Sequence, residues 1–172
     1  SKLMVRTANP WAPLMPFDWK ASADPGQLTL MKNEWGELAL NVTNATAAPV
    51  ELTITTKGLQ PGAVSVFAVK FVEAFGFRIR GDALMPLRGK LHIPPGMTQQ
   101  VWLSIDTRSL RHGHHEGQLE LEGKSTSAIQ PLSFTVAHVE MPRPKLHVVN
   151  FSYMHWPIAK TDPKGVERDL RE

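Results

Sequence analysis

The chain has 172 residues, 19 lysines and arginines against 16 acids, and no cysteine. That length holds one domain with an appendage, or two very small domains. The charges are scattered without a run of one sign, which argues against a nucleic-acid surface. The missing thiols exclude a disulfide scaffold, a thiolate zinc site and a cysteine nucleophile. No apolar run approaches the ~18 residues of a membrane span, and no basic start with an apolar core marks a secretory signal. Composition leaves the compartment open.

In chain order, residues 1–26 are dense in proline and tryptophan: Pro10, Trp11, Pro13, Pro16, Trp19 and Pro25. Prolines at this density prevent a central strand or a helix interior. The segment is expected as an extended leader lying over the body, pinned by Trp11, Phe17 and Trp19. Strands then begin at Gln27–Lys32. Glu37–Thr43 sets Leu38, Leu40 and Val42 against Glu37, Ala39, Asn41 and Thr43, and Val50–Thr56 sets Val50, Leu52 and Ile54 against Glu51, Thr53 and Thr55. This period of two is that of a sheet with one buried face. Val64–Val72 is β-branched and aromatic, with Phe75, Phe77 and Ile79 continuing in steps of two. Gly81–Lys90 reads as a loop, followed by strands at Leu91–Ile93, Gln99–Ile105, Glu116–Glu122 and Leu132–His138. Turn clusters at Asn44–Pro49 and Gly58–Gly62 separate them. Eight or nine short strands without an intervening helical period predict an all-β, antiparallel sandwich over residues 27–140.

Met141-Pro-Arg-Pro144 opens a stiff linker, residues 141–145. Beyond it, Leu146–Tyr153 reads as one buried strand ended by Trp156-Pro157. Asp162-Pro163 has the form of an N-cap followed by proline at the first helical position, with Glu167 and Arg171 an i,i+4 pair. A strand and a short helix over residues 146–172 are expected as the start of a following α/β domain; a C-terminal cap folded back on the sandwich is the other reading.

Candidate sites are few. His112, His114 and His115 offer imidazoles for zinc, nickel or copper, although metal sites ordinarily draw ligands from separate elements with supporting partners. Trp11, Tyr153 and Trp156, in proline-rich or junction segments, are candidate stacking surfaces for a sugar. Trp19, Trp35 and Trp102 read more simply as packing residues. Glu116, Glu120 and Glu122 share the solvent side of one strand and do not face each other across a cleft, as glycoside hydrolysis requires. Ser104 and Ser133 lack a nucleophile-elbow pattern, Gly58–Gly62 is a turn and no phosphate loop, and no cofactor is expected. Asn41-Val-Thr, Asn44-Ala-Thr and Asn150-Phe-Ser match the glycosylation sequon.

Three blocks also carry a resemblance: Glu34-Trp-Gly-Glu-Leu-Ala-Leu-Asn-Val-Thr-Asn44, Gly81-Asp-Ala-Leu-Met-Pro-Leu87 and Pro94-Pro-Gly-Met-Thr-Gln-Gln-Val-Trp-Leu-Ser-Ile-Asp-Thr107. Together with Leu110, Gly113, Gly117, Leu119 and Leu121 they resemble the immunoglobulin-like domain that precedes a TIM barrel in large bacterial glycoside-hydrolase-like proteins. The resemblance covers roughly residues 27–172, and the tail from Val148 is similar to that family's approach to the barrel. Where the family has Pro-Gly-Tyr in a turn, this chain has His112-Gly-His-His115. The resemblance implies a non-catalytic accessory domain whose partner is a neighbouring catalytic-type domain of the same polypeptide. Polysaccharide is an alternative partner, and the implied compartment is extracellular or periplasmic. No catalytic residue of the family maps onto this segment.

Overall fold

The computed structural model describes residues 3–17, 28–74 and 78–142, and its contacts divide the chain between Met141 and Pro142. The first unit contains β1 (Leu3–Ala8), β2 (Leu28–Lys32), β3 (Trp35–Asn44), β4 (Val50–Lys57), β5 (Val64–Ala74), β6 (Arg78–Pro86), β7 (Leu91–Ile93), β8 (Thr98–Asp106), β9 (Gly113–Glu122) and β10 (Ser127–Glu140), with a 3-10 turn at Thr107–Ser109. They form two five-stranded sheets, ordered β1-β3-β8-β5-β6 and β2-β10-β9-β4-β7. This is an immunoglobulin-like β-sandwich. The strand pairs are antiparallel except one: β2 runs parallel to β10, from Phe134↔Leu28 onward.

The core follows the alternation. Leu40 and Val42 of β3 and Val101 and Leu103 of β8 meet Leu52 of β4, Leu119 and Leu121 of β9 and Leu132 of β10. A second group, with Ile105, Leu110, Phe134 and Val136, shares Leu38, Leu59 and Val64 with the first. Where β3 leaves its sheet, Asn44 is fully buried. Its Nδ2 donates to the carbonyls of Ala48 (2.8 Å) and Ile93 (3.0 Å), while its Oδ1 accepts from Thr46 N–H (2.9 Å) and Thr46 O–H (2.7 Å). A carboxamide with every polar atom satisfied closes the β3–β4 turn. Asn41 is likewise buried and bonded to Gln100, so neither sequon side chain is presented to an enzyme in the folded state.

Three elements differ from the sequence expectation. The leader contains an edge strand: β1 pairs with β3 from Leu3↔Asn44 to Ala8↔Ala39, because the proline cluster begins only at Pro10. Residues 81–86, expected as loop, are the second half of β6, which pairs with β5 through a bulge at Lys70/Phe71. Gly81 reads as a turn residue, yet a Cβ there would lie 2.9 Å from Val69 Cγ1 and 3.1 Å from Leu14 Cδ2. The glycine marks a close approach inside a strand. Finally, β10 starts at Ser127 and runs through Pro131, opposite Gln118. β2 first pairs at Phe134, so the position lacking an N–H faces no strand on that side. Trp19, Phe75, Phe77, the strand expected at residues 146–153, the helix after Asp162, Asn150, Tyr153 and Trp156 lie outside the described residues.

Candidate ligand-binding cleft on the covered sheet face

The outer face of the β1-β3-β8-β5-β6 sheet is crossed by residues 9–17. Asn9 begins the crossing: its Oδ1 accepts the N–H of Trp11 (3.0 Å) and its carbonyl accepts the N–H of Ala12 (3.1 Å). With Pro10 in the second position this is a proline turn reinforced by an Asx bond. Leu14 then buries its side chain against Val69 and Trp102, flanked by Phe67 and Phe71. Its carbonyl accepts the N–H of Gly81 (2.9 Å), and the Pro16 carbonyl accepts the N–H of Thr98 (2.9 Å). The strap is therefore tied to β6 and β8 by backbone bonds and anchored by one leucine. Leu14 is 3% exposed, whereas Trp11 is 79% and Phe17 70% exposed. This corrects the expected pinning by Trp11 and Phe17: the leucine fits the gap left by Gly81, and the wide rings remain outside.

Beneath the strap, β3 and β8 carry a cross-strand polar ladder. Thr43 and Thr98 share a bond of 2.8 Å, Gln100 Nε2 donates to Asn41 Oδ1 at 2.9 Å, and Ser104 Oγ donates to Glu37 Oε1 at 3.0 Å. Trp102 Nε1 donates to Glu37 Oε2. Trp102 is 8% exposed, on the outer side of its sheet, as its alternation with Val101 and Leu103 requires.

Between the strap and β6 the surface opens into a cleft of about 630 Å³, lined by Trp11, Glu37, Arg80, Asp82, Gln100 and Trp102 among others. The Trp11 ring stands edge-to-face with Trp102, centroids 5.6 Å apart and planes at 89°. The side chains of Arg80 and Asp82 make no ion pair or hydrogen bond among the described residues. Both oxygens of Glu37, by contrast, are occupied by Trp102 and Ser104. The cleft thus sets one exposed indole, that of Trp11, over a floor whose Trp102 and Gln100 are buried. Sequence reasoning found Trp11 and missed Arg80, Asp82, Glu37 and Gln100. Charged residues around Gly81 read as a loop, and Gln100 reads as solvent-facing.

A second depression of about 680 Å³ lies at one rim of the other sheet, with Glu51, Lys90, His92, Glu122 and Lys124 on its walls. Lys90 and Glu51 pair at 3.5 Å with both side chains well solvated. It holds no tryptophan, tyrosine or phenylalanine and reads as a charged rim.

The histidines do not converge. Gly113 (φ 118°) starts β9, so His114 and His115 belong to a strand and not to a loop. His112 Nδ1 donates to the Ala137 carbonyl at 2.7 Å, and its ring stacks on His138 at 4.7 Å. His114 lies between Thr135 Oγ1 (3.4 Å) and Glu116 Oε1 (3.2 Å). His115 turns to the inner side, stacks on Phe134 at 5.2 Å and donates Nε2–H to the Arg111 carbonyl at 2.8 Å. A carbonyl only accepts, so these nitrogens of His112 and His115 carry the ring protons. Among the described residues no group of three potential ligands is placed to hold an ion. The expected gathering of His112, His114 and His115 is not seen among them, because alternation along β9 sends the neighbouring imidazoles of His114 and His115 to opposite faces.

The expected solvent side of β9 is seen. Glu120 pairs with Lys57 at 2.7 Å, and the hydrogen bond from Lys57, with a further one from Gln118, holds its carboxyl below the usual range. Trp35 is half exposed beneath the Arg108 guanidinium, 5.2 Å from its ring centroid. Arg108 is held in turn by Asp106 at 2.7 Å.

No family model and no curated protein matches the chain. Among solved structures, the family 123 glycoside hydrolase from Clostridium perfringens, whose structure concerns glycolipid glycan hydrolysis, superposes with a TM-score of 0.69 at 13% identity. The match covers 81% of this chain and 28% of that one. A FixG-related protein from Vibrio parahaemolyticus gives a TM-score of 0.44 at 16% identity, covering 79% of this chain and 97% of that one. A human PapD-like domain gives 0.39 at 10% identity, covering 82% and 87%. At such identities the first likeness establishes the fold, and this chain spans less than a third of that hydrolase.

Proposed function

We propose that this chain is a non-catalytic accessory sandwich of a larger carbohydrate-active protein, where it packs beside and orients a neighbouring catalytic domain. The observation that carries the reading is the fit of 81% of the chain to 28% of a glycoside hydrolase. Those proportions are those of a module and not of the whole enzyme. The chemistry of the described residues agrees with an accessory role. Glycoside hydrolysis needs one carboxylate free to protonate and another free to attack or to activate water. Glu37, the carboxylate nearest the buried floor of the cleft, has both oxygens engaged, and Glu116 and Glu120 stand on the outer side of β9.

The test compares the complete gene product with a version lacking residues 1–141, by turnover of chromogenic glycosides and by thermal melting. Turnover is expected to reside outside residues 1–141, and the remainder is expected to melt several degrees lower once the sandwich is removed. Turnover by residues 1–172 alone, or a remainder that melts unchanged, contradicts the proposal.

A further inference from the structure

We infer that the sandwich is closed against tension in two stages. β1 and the strap of residues 9–17 form an outer latch that yields first to a pull between Leu3 and Glu140. β2 forms an inner clamp that keeps the core shut after the latch has gone. This goes beyond the accessory reading and does not depend on it.

The first observation is direction. β1 is antiparallel to β3. β2 reverses into β3 of the other sheet through Asn33, at φ 63°, and Glu34, and it is parallel to β10. With the two sheets packed in alignment, β1, β2 and β10 therefore run the same way. Leu3 and Glu140 lie at opposite ends of these strands, so a pull between them acts along the strand axes. The bonds of an antiparallel ladder stand perpendicular to that axis and carry such a load together. A pull across one end of a ladder opens it one bond at a time.

The second observation is the unequal grip on the two terminal strands. β1 has one neighbour, β3, from Leu3↔Asn44 to Ala8↔Ala39, and gives the main core one buried side chain, Leu3, with Val5 packed beside it. The strap adds Leu14 and the two backbone bonds to Gly81 and Thr98. β2 is held on more sides. Leu30 is buried with Ile105, Leu110, Phe134 and Val136. Thr107 Oγ1 lies 2.8 Å from the Met31 carbonyl and accepts the Glu34 N–H at 2.8 Å. The Lys32 amine donates to the Leu110 carbonyl, and the Lys32 carbonyl accepts the Met141 N–H at 2.7 Å. At the other end of the load, β10 is flanked by β9 as well as β2, so tension entering at Glu140 meets two ladders. Tension entering at Leu3 meets one.

The third observation is what each stage covers. Loss of β1 and the strap uncovers Trp102, Val69 and the polar ladder of β3 and β8. Leu40, Leu52, Leu103, Leu119 and Leu121 belong to strands that remain paired in their sheets. A face covered at rest is thus opened by load while the sandwich stays folded.

The test is a single-molecule pull in optical tweezers. The chain has no cysteine of its own, so Ser1→Cys with Pro142→Cys places both handles uniquely. Two steps are expected. The first lengthens the tether by at most about 90 Å, the reach of the chain between Leu3 and Leu28 when fully extended, and the second is longer. Moving the second handle to Ala47→Cys, in the turn that follows Asn44, peels the same β1 from the end at Leu3↔Asn44 and should release it at lower force. Thr107→Val should lower the force of the second step and leave the first where it is. The inference is overturned by a single step to full length, by a first step longer than that reach, or by equal release forces for the two handle placements. Because the pull reads this chain alone, it can fail while the accessory role stands.

Discussion

The two sheets are built on the same alternation, yet their outer faces end differently. On the β2-β10-β9-β4-β7 sheet, Glu51, Thr53 and Thr55 of β4 and His114, Glu116 and Glu122 of β9 point to water, as the period of two anticipates. On the β1-β3-β8-β5-β6 sheet the equivalent side chains, Asn41, Thr43, Thr98 and Gln100, are polar and buried. Among the described residues, the difference is the nine residues 9–17. A strap across one face withdraws water from that face, and every polar group beneath it must then find a partner. One face is a solvated surface whose ion pairs contribute little; the other is a covered floor on which each hydrogen bond matters and over which a cleft forms.

That contrast is broken most severely at Leu14. Leu14→Ala removes the anchor and is expected to cost about 2–3 kcal/mol in urea unfolding, toward the low end of buried leucine truncations because the site is peripheral. Tryptophan emission should shift to the red as Trp102 meets water. Thr55→Ala on the open face should stay within about 0.5 kcal/mol of wild type; a comparable loss there would mean that the two faces do not differ as described. Next is the ladder. Asn41→Ala leaves the Gln100 amide without its acceptor beneath the strap, and a loss of about 1–3 kcal/mol is expected by the same measurement. Equal stability would show that water reaches the floor.

The smallest effect belongs to the open face. The hydrogen bond with Glu120 holds Lys57 above its usual value, and the same bond holds Glu120 below its own. A lowered carboxyl stabilises above its ordinary value, and the contribution fades as pH falls through the lowered one. A raised amine stabilises below its ordinary value, and the contribution fades as pH rises through the raised one. The pair therefore contributes across the neutral range and is lost at both extremes. Being solvated, it should be screened by salt, and Lys57→Met should leave the melting temperature at pH 7 within measurement error. A clear drop would place this pair in a drier setting than the structure gives it.

How much of this could be read from the sequence follows from the same contrast. The open face and the core were legible because a strand with one wet side writes its burial as a period of two, as Leu52, Leu119 and Leu121 do. The covered face was not, because alternation distinguishes the two sides of a strand without saying whether the polar side meets water or another segment. Asn41 and Gln100 look like solvent residues in any local window. The strap itself could be anticipated from its prolines, but its anchor could not. Trp11 and Phe17 are the hydrophobic-looking choices, and only the notch at Gly81, distant in sequence, selects Leu14. The histidine segment misled for a related reason, since proximity along a chain is not convergence in a strand. Of the candidate cleft, Trp11 was visible beforehand, whereas the floor of Glu37 and Gln100 gains its meaning from the segment that crosses over it.

Hydrogen exchange at two amides tests the strap most directly. Gly81 N–H and Thr98 N–H are bonded to the carbonyls of Leu14 and Pro16. Slow exchange is predicted for both in the wild type, becoming selectively faster in Leu14→Ala while amides of β9 keep their rates. If Gly81 and Thr98 already exchange as fast as open loops in the wild-type chain, residues 9–17 do not seal this face, and neither the dry ladder nor the cleft above it exists as described.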